Sequence, residues 1–168
     1  VIIGSAAGTA SITNGANGLL AIGYGAGAAV TSGGGNTLVG YAAGDAITDG
    51  ENNTVLGRHA LGANIGGDNN TVVGHSAGDA MTTTGATVLI GKSAGSAIDS
   101  DAADGTVAIG KDALAALTAG QNNIAIGHVA ADVMTVSNRN VIIGAEAFTT
   151  AATATGQDDN IGIGYRAL

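Results

Sequence analysis

The stretch NNTVLGRHALGANIGGDNNTVVGHSAG, from Asn52 to Gly78, states one phrase twice: NNTVLGRHALG, a short spacer, then NNTVVGHSAG. Its core, a short aliphatic run closed by glycine, recurs along the whole chain. It appears at Val1–Gly4, Leu20–Gly23, Thr37–Gly40, Thr54–Gly57 and Thr71–Gly74, and again at Val88–Gly91, Val107–Gly110, Ile124–Gly127, Val141–Gly144 and Ile161–Gly164. Successive glycines are 19, 17, 17, 17, 17, 19, 17, 17 and 20 residues apart, a unit of seventeen with three small insertions. A fixed period of this size is the mark of a repeat architecture and takes precedence over local readings.

The columns of the repeat carry its physics. Ile, Val or Leu always precedes the glycine, and the residue before that is never polar. Alanine stands three places after the glycine in every unit, from Ala7 to Ala167. Four places before it stands Asn in six units (Asn36, Asn53, Asn70, Asn123, Asn140, Asn160) and Thr in two (Thr87, Thr106). The aliphatic run reads as a short β-strand, and DGENN, GGDNN and AGQNN read as turns that need φ > 0. The segment after the glycine, as in AGDAIT, reads as a second, weaker strand. Helix is disfavoured because glycine interrupts every few residues at about 1 kcal/mol each; only Asp112–Leu117 could form a helical turn. The fold expected is all-β: a parallel β-solenoid of about ten coils, in which identical columns stack ~4.8 Å apart. The Asn column becomes a ladder of amides, and the Ala column a place where only a methyl fits.

Strand side chains alternate. Positions one and three before the glycine are assigned here to the interior, and the position between them to the outside. That middle position is also apolar, so the strand has two greasy faces and both need cover. A bare strip of ~48 Å by ~10 Å exposes roughly 480 Å², large for a monomer. With 30 glycines, each losing much backbone entropy, association between copies is expected to be needed for stability. The number of copies does not follow from the columns.

Composition removes several classes. The chain has 168 residues, no Pro, Cys or Trp, one Phe and three Tyr, and a net charge of −8. Five basic residues against thirteen acidic ones oppose nucleic-acid binding. No apolar run approaches a membrane span, and no stretch reads as a signal peptide. Without cysteine there is no disulfide or thiolate metal site. At 45% apolar residues the chain is too hydrophobic for a disordered linker.

The units NTLVGYAAGDAITDGEN and NTVVGHSAGDAMTTTGA resemble the repeats of bacteriophage tail fibres, and NNIAIGHVAA and GTVAIGKDAL resemble the head repeats of trimeric autotransporter adhesins. The resemblance covers essentially the whole chain and implies a left-handed parallel β-roll, assembled as a homotrimer about a threefold axis. Adhesin-head units are usually a few residues shorter, which favours the phage fibre. Residues 1–168 are then expected to be a single repetitive segment from the interior of a longer extracellular fibre. The expected work is mechanical, in the service of host attachment; a trimeric bacterial surface adhesin is the alternative, and a fibre-borne polysaccharide-degrading enzyme the second alternative.

The candidate contact residues form a stripe in the two positions after each glycine: Tyr24, Tyr41, Arg58, His59, His75, Lys92, Lys111, His128 and Tyr165. Tyr and His can stack on sugars and donate hydrogen bonds, so a host cell-surface glycan or receptor is one reading. The other is that these corners face water, or meet the acidic edge of a neighbouring chain. Acidic residues sit elsewhere, at Asp45, Asp79 and Asp132 and at the far end of the unit, as in Glu51, Asp68, Asp104 and Asp158.

Other motifs point to no chemistry. AIGYGAG (Ala21–Gly27) lacks the spacing and following helix of a nucleotide loop. DSDAADG (Asp99–Gly105) departs from the EF-hand pattern and reads as an acidic turn. His59 and His75 lie one coil apart and read as a solvated pair rather than a metal site. No Ser/His/carboxylate set recurs for nucleophilic catalysis, and no catalytic residue, cofactor or metal is expected. The Thr column at Thr31, Thr48, Thr82, Thr118 and Thr135 is too interrupted for an ice-binding array.

Overall fold

The computed structural model describes residues 1–10, 16–99, 103–149 and 156–168. Ten strands follow one another: β1 (Ile2–Ile3), β2 (Leu20–Ile22), β3 (Thr37–Val39), β4 (Thr54–Leu56), β5 (Thr71–Val73), β6 (Val88–Ile90), β7 (Val107–Ile109), β8 (Ile124–Ile126), β9 (Val141–Ile143) and β10 (Ile161–Ile163). They form one sheet in sequence order, every neighbouring pair parallel. The register follows the repeat columns, with Leu38 beside Val55, Val55 beside Val72 and Val72 beside Leu89. The longer repeats do not disturb it: Leu89 pairs with Ala108 and Ile142 with Gly162. The chain is a parallel β-solenoid with one strand per coil.

Two expectations are corrected. The first concerns the faces of the strand. The middle residue points inward: Ala21, Leu38, Val55, Val72, Leu89, Ala108, Ala125 and Ile142 are fully buried, while their strand neighbours are half-buried or exposed. The positions assigned to the interior, one and three before the glycine, face outward. The cause is the Asn column. Asn36, Asn53, Asn70, Asn123 and Asn140 are buried, and alternation from a buried position four before the glycine carries the position two before it inward as well.

The second correction concerns the segment after each glycine. It is not a second strand. It is a run of turns in which the second and fourth residues have positive φ, as at His59 (53°) and Leu61 (53°). Two left-handed residues in six curl the backbone away from the extended form a strand needs. The same geometry overturns the helical turn at Asp112–Leu117, since Asp112 and Leu114 have φ of 58° and 51°. The segment still hydrogen-bonds in both directions along the stack. His59 donates its amide to the carbonyl of Tyr41 one coil back, and Leu61 donates to Ala77 one coil ahead.

The interior is a thin column with complementary volumes. Alanines from Ala26 to Ala147 at the invariant position are fully buried. Opposite them, seven places after the glycine, lie Val30, Ile47, Met81, Ile98, Leu117 and Met134, all fully buried. In several coils the place four after the glycine trades size with the strand. Where β3 supplies Leu38, that place is Gly44, whose added Cβ would meet Ile47 at 2.8 Å and Leu38 at 3.0 Å. Where β7 supplies only Ala108, it is Leu114, fully buried despite its left-handed backbone. Burial of such a side chain stabilises by roughly 1.5–3 kcal/mol, enough to offset the 1–2 kcal/mol of the conformation. Close stacking also fixes the strand-ending glycine: a Cβ on Gly57 would run into the carbonyl of Gly74 above it.

Two hydrogen-bonded ladders run along the stack. Asn53 Nδ2 donates to Asn36 Oδ1 at 3.1 Å, Asn70 Nδ2 to Asn53 Oδ1 at 3.0 Å, and Thr87 Oγ1 to Asn70 Oδ1 at 2.7 Å. A second run joins Asn140 to Asn123 at 3.1 Å and Asn160 to Asn140 at 3.0 Å. This is the expected amide ladder, buried and shared between coils. The Thr column is used the same way: Thr31, Thr48, Thr82 and Thr118 each donate Oγ1 to a carbonyl of the following coil, at 3.1, 3.3, 2.7 and 3.2 Å. The turns behave as read, with positive φ at Asn52, Asn69 and Asn122.

Candidate functional site

Each strand-ending glycine turns the chain off the sheet face, so the next side chain stands at the corner. Backbone bonds from each second residue after the glycine to the carbonyl of the first residue one coil back bring these corners together in a row. Tyr24, Tyr41, Arg58, His75, Lys92, Lys111, His128 and Tyr165 are exposed along it, and His59 is half-buried.

At one end the aromatic rings organise. Tyr24 and Tyr41 stack with centroids 5.2 Å apart and planes 15° from parallel. His59 meets Tyr41 edge-on at 5.3 Å, and the Arg58 guanidinium lies 5.5 Å from the same ring centre. At the other end Arg166 lies 5.0 Å from the Tyr165 ring and donates Nε to Glu146 Oε2 at 2.6 Å. The middle of the row does not converge: Lys111 pairs with Asp112 beside it at 2.8 Å, and no contact joins His75 to Lys92 among the described residues. The stripe is a line of corners rather than a cavity, and the described residues enclose no pocket.

Asp45 and Asp132 lie on the same side. Burial pushes both carboxyls up; the Asp45 and Asp132 backbones' hydrogen bonds and the nearby His59 and His128 pull in the opposite direction. The aromatic-basic corner is therefore bordered by acid on its own chain. Among the described residues no three His, Asp or Glu side chains come together as a metal site. His59 and His75 stand one coil apart with no shared ligand geometry. The acidic turn Asp99–Gly105 lies partly outside the described residues, and β2 leads into turns rather than into the helix a nucleotide loop needs.

The carboxylates at the far end of the repeat sit on the opposite side of the sheet face, just before each strand, and they have a structural task that the sequence reading missed. Asp68 Oδ1 accepts the amide of Glu51 at 2.7 Å, Asp104 Oδ1 that of Gly85 at 2.9 Å, and Asp158 Oδ1 that of Asn138 at 2.7 Å. Asn138 Oδ1 does the same for Gln121 at 3.0 Å. An Asx side chain three places before the strand thus clips the turn one coil back. The signal was present, since Asp, Asn or Gln recurs at that column. Arg139, the one basic residue outside the stripe, joins this side and grips Asp159 with two bonds of 2.6 and 2.9 Å. That contact holds the Asp159 carboxyl below its usual range.

Between the two edges lies the outer sheet face. Its twenty positions, from Val1 and Ile3 to Ile161 and Ile163, hold seventeen aliphatic residues and three threonines (Thr37, Thr54, Thr71) and no charge. Leu56 is 50% exposed and Ile163 67%. No family model, curated protein or solved structure matches the chain.

Proposed function

We propose that this chain is a shaft or head segment of an extracellular trimeric fibre, a left-handed β-roll of the phage tail-fibre kind serving host attachment. The observation that supports it is the outer sheet face: an uncharged aliphatic strip ten strands long beside an interior that is already full. An apolar parallel sheet calls for cover on both sides. One side is covered by the chain's own turns; copies of the chain, assembled as a homotrimer, cover the other. The seventeen-residue unit favours the phage fibre over the trimeric adhesin head that its repeats also resemble. Attachment to a host glycan or receptor belongs to this reading, with the stacked Tyr24–Tyr41 pair as the surface suited to it.

The test is the mass of the chain in solution by sedimentation equilibrium, together with an Ile109→Lys variant on the outer face. Three chains per particle, falling to one in the variant while circular dichroism still reports β-structure, is the expected result. A monodisperse single chain at micromolar concentration overturns the assembly.

A further inference from the structure

The two edges of the outer face carry complementary groups at four strand levels, β4, β5, β7 and β10, while β6 (Gly85, Lys92) and β8 (Gln121, His128) carry only the exit group. The entry residue lies three before each strand and the exit residue directly after its glycine. Strand β4 is entered by Glu51 and left by Arg58; β5 is entered by Asp68 and left by His75; β7 is entered by Asp104 and left by Lys111; β10 is entered by Asp158 and left by Tyr165 and Arg166. At β4, β5 and β7 an acid on the entry side is matched by a cation or a protonatable ring directly after the glycine; at β10 the cation, Arg166, stands one place later and is held by Glu146 of its own chain. Strands β2 and β3, which leave at Tyr24 and Tyr41, are entered by the uncharged Asn17 and Gly34. Within the chain these charges lie apart, separated by the width of the sheet, ~10 Å. Among the described residues no ion pair engages Arg58, His75 or Lys92, nor Glu51, Asp68 or Asp104.

We infer that the exit edge of one copy docks against the entry edge of the next at the same strand level, so that these charges set the polarity and axial register of the assembly. The inference rests on the multi-chain reading above. A closed ring of copies requires head-to-tail contacts with no net axial slip. Rotation about an axis along the rod brings exit edge to entry edge, and zero slip places Arg58 level with a neighbour's Glu51 and His75 level with its Asp68. Antiparallel copies would set like edge against like edge. A slip of one coil in one direction sets Arg58 level with Asp68, but it sets Lys111 against Gln121; in the other direction Arg58 meets Gly34. The central, uncharged strip supplies the affinity, and the flanking charges supply the choice of partner orientation.

The absence of native cysteine makes the test clean. In the full chain, Glu51→Cys with Arg58→Cys should yield covalent multimers under mild oxidation. Glu51→Cys with Lys92→Cys, two levels out of step, should yield at least about tenfold less. Neither residue of the first pair makes a side-chain hydrogen bond within its own chain among the described residues, and Arg58 gives up only its contact with the Tyr41 ring. In parallel, Arg58→Glu should raise the half-assembly concentration about tenfold at low salt, and Arg58→Glu with Glu51→Arg should restore it. The difference should fade near about 0.5 M NaCl. Multimeric particles that ignore Arg58→Glu and crosslink equally at both levels overturn the edge pairing while leaving the assembly standing. Single-chain particles from the unaltered protein overturn the assembly itself.

Discussion

Substituting one rung of the buried amide ladder should unsettle the rod far more than its size suggests. Asn53 is fully buried. Its Nδ2 donates to Asn36 Oδ1 at 3.1 Å and to the Gly67 carbonyl at 2.9 Å, and its Oδ1 accepts the Asn70 amide and Nδ2, each at 3.0 Å. Truncation to alanine leaves two partners compensated: Asn36 Oδ1 keeps the Asn53 amide at 2.9 Å and Asn70 Nδ2 keeps the Thr84 carbonyl at 2.9 Å. The Gly67 carbonyl loses its side-chain donor and the Asn70 amide loses its acceptor. At about 1–3 kcal/mol for each buried group left unmade, Asn53→Ala should cost roughly 2–6 kcal/mol. Asn53→Thr should cost about half as much, because Thr87 shows that a hydroxyl can donate onto the same ladder. The assay is guanidinium denaturation followed by far-ultraviolet circular dichroism at fixed chain concentration, comparing midpoints at constant slope. A loss below about 1 kcal/mol for Asn53→Ala, or equal losses for alanine and threonine, would refute the assignment of stability to the ladder's donors and acceptors.

Three further outcomes follow from the packing and the charges. Ala77→Leu inserts three carbons at a fully buried site and should destabilise by at least about 1–3 kcal/mol through overpacking; unchanged thermal melting would remove the Ala column from the interior. Gly57→Ala should cost at least about 3 kcal/mol, since φ at Gly57 is 145° and the new methyl meets the Gly74 carbonyl; a well-folded variant with native midpoint would contradict the coil spacing. Asp45 and Asp132 have carboxyls raised above 3.8 in the folded chain, so their contribution is in place below that value and is lost as pH rises through the folded pKa. Asp132→Asn should therefore raise the neutral-pH melting temperature by a small margin, worth less than about 1 kcal/mol after solvent screening, and leave it unchanged near pH 3.

The repeat made the coil number, the parallel register, the turn asparagines and the Ala column legible, because stacking forces identical residues into identical environments. It also foretold the amide ladder. What went unread was the parity of that ladder. A buried Asn four before the glycine, combined with strand alternation, already places Leu38 and Val55 inside and Val39 and Leu56 outside; assigning the faces without that parity inverts them. The second strand was inferred from Ala and Ile in AGDAIT, but Gly8, Gly27, Gly44, Gly78 and Gly95 share a column where the backbone is left-handed, and a glycine repeated at one place marks conformation rather than filler. The stripe of Tyr, His and basic residues was visible as a column. Its division into a stacked aromatic end and a run of separated charges depends on ring orientation, which spacing does not encode. The carboxylate clips depend on side chains reaching back one coil, and only the fold reveals that direction.

The buried relay of amides is not continuous. It runs from Asn36 to Thr87 and resumes at Asn123, and between them Thr106 turns its hydroxyl to the Gly120 carbonyl at 3.3 Å instead of passing the connection along. Among the described residues the junction of β6 and β7 thus has its backbone pairs, its apolar contacts and the Asp104 clip on the Gly85 amide, but no rung of the buried ladder. Under tension along the axis, the two laddered runs, Asn36 to Thr87 and Asn123 to Asn160, should therefore move as stiffer blocks on either side of it.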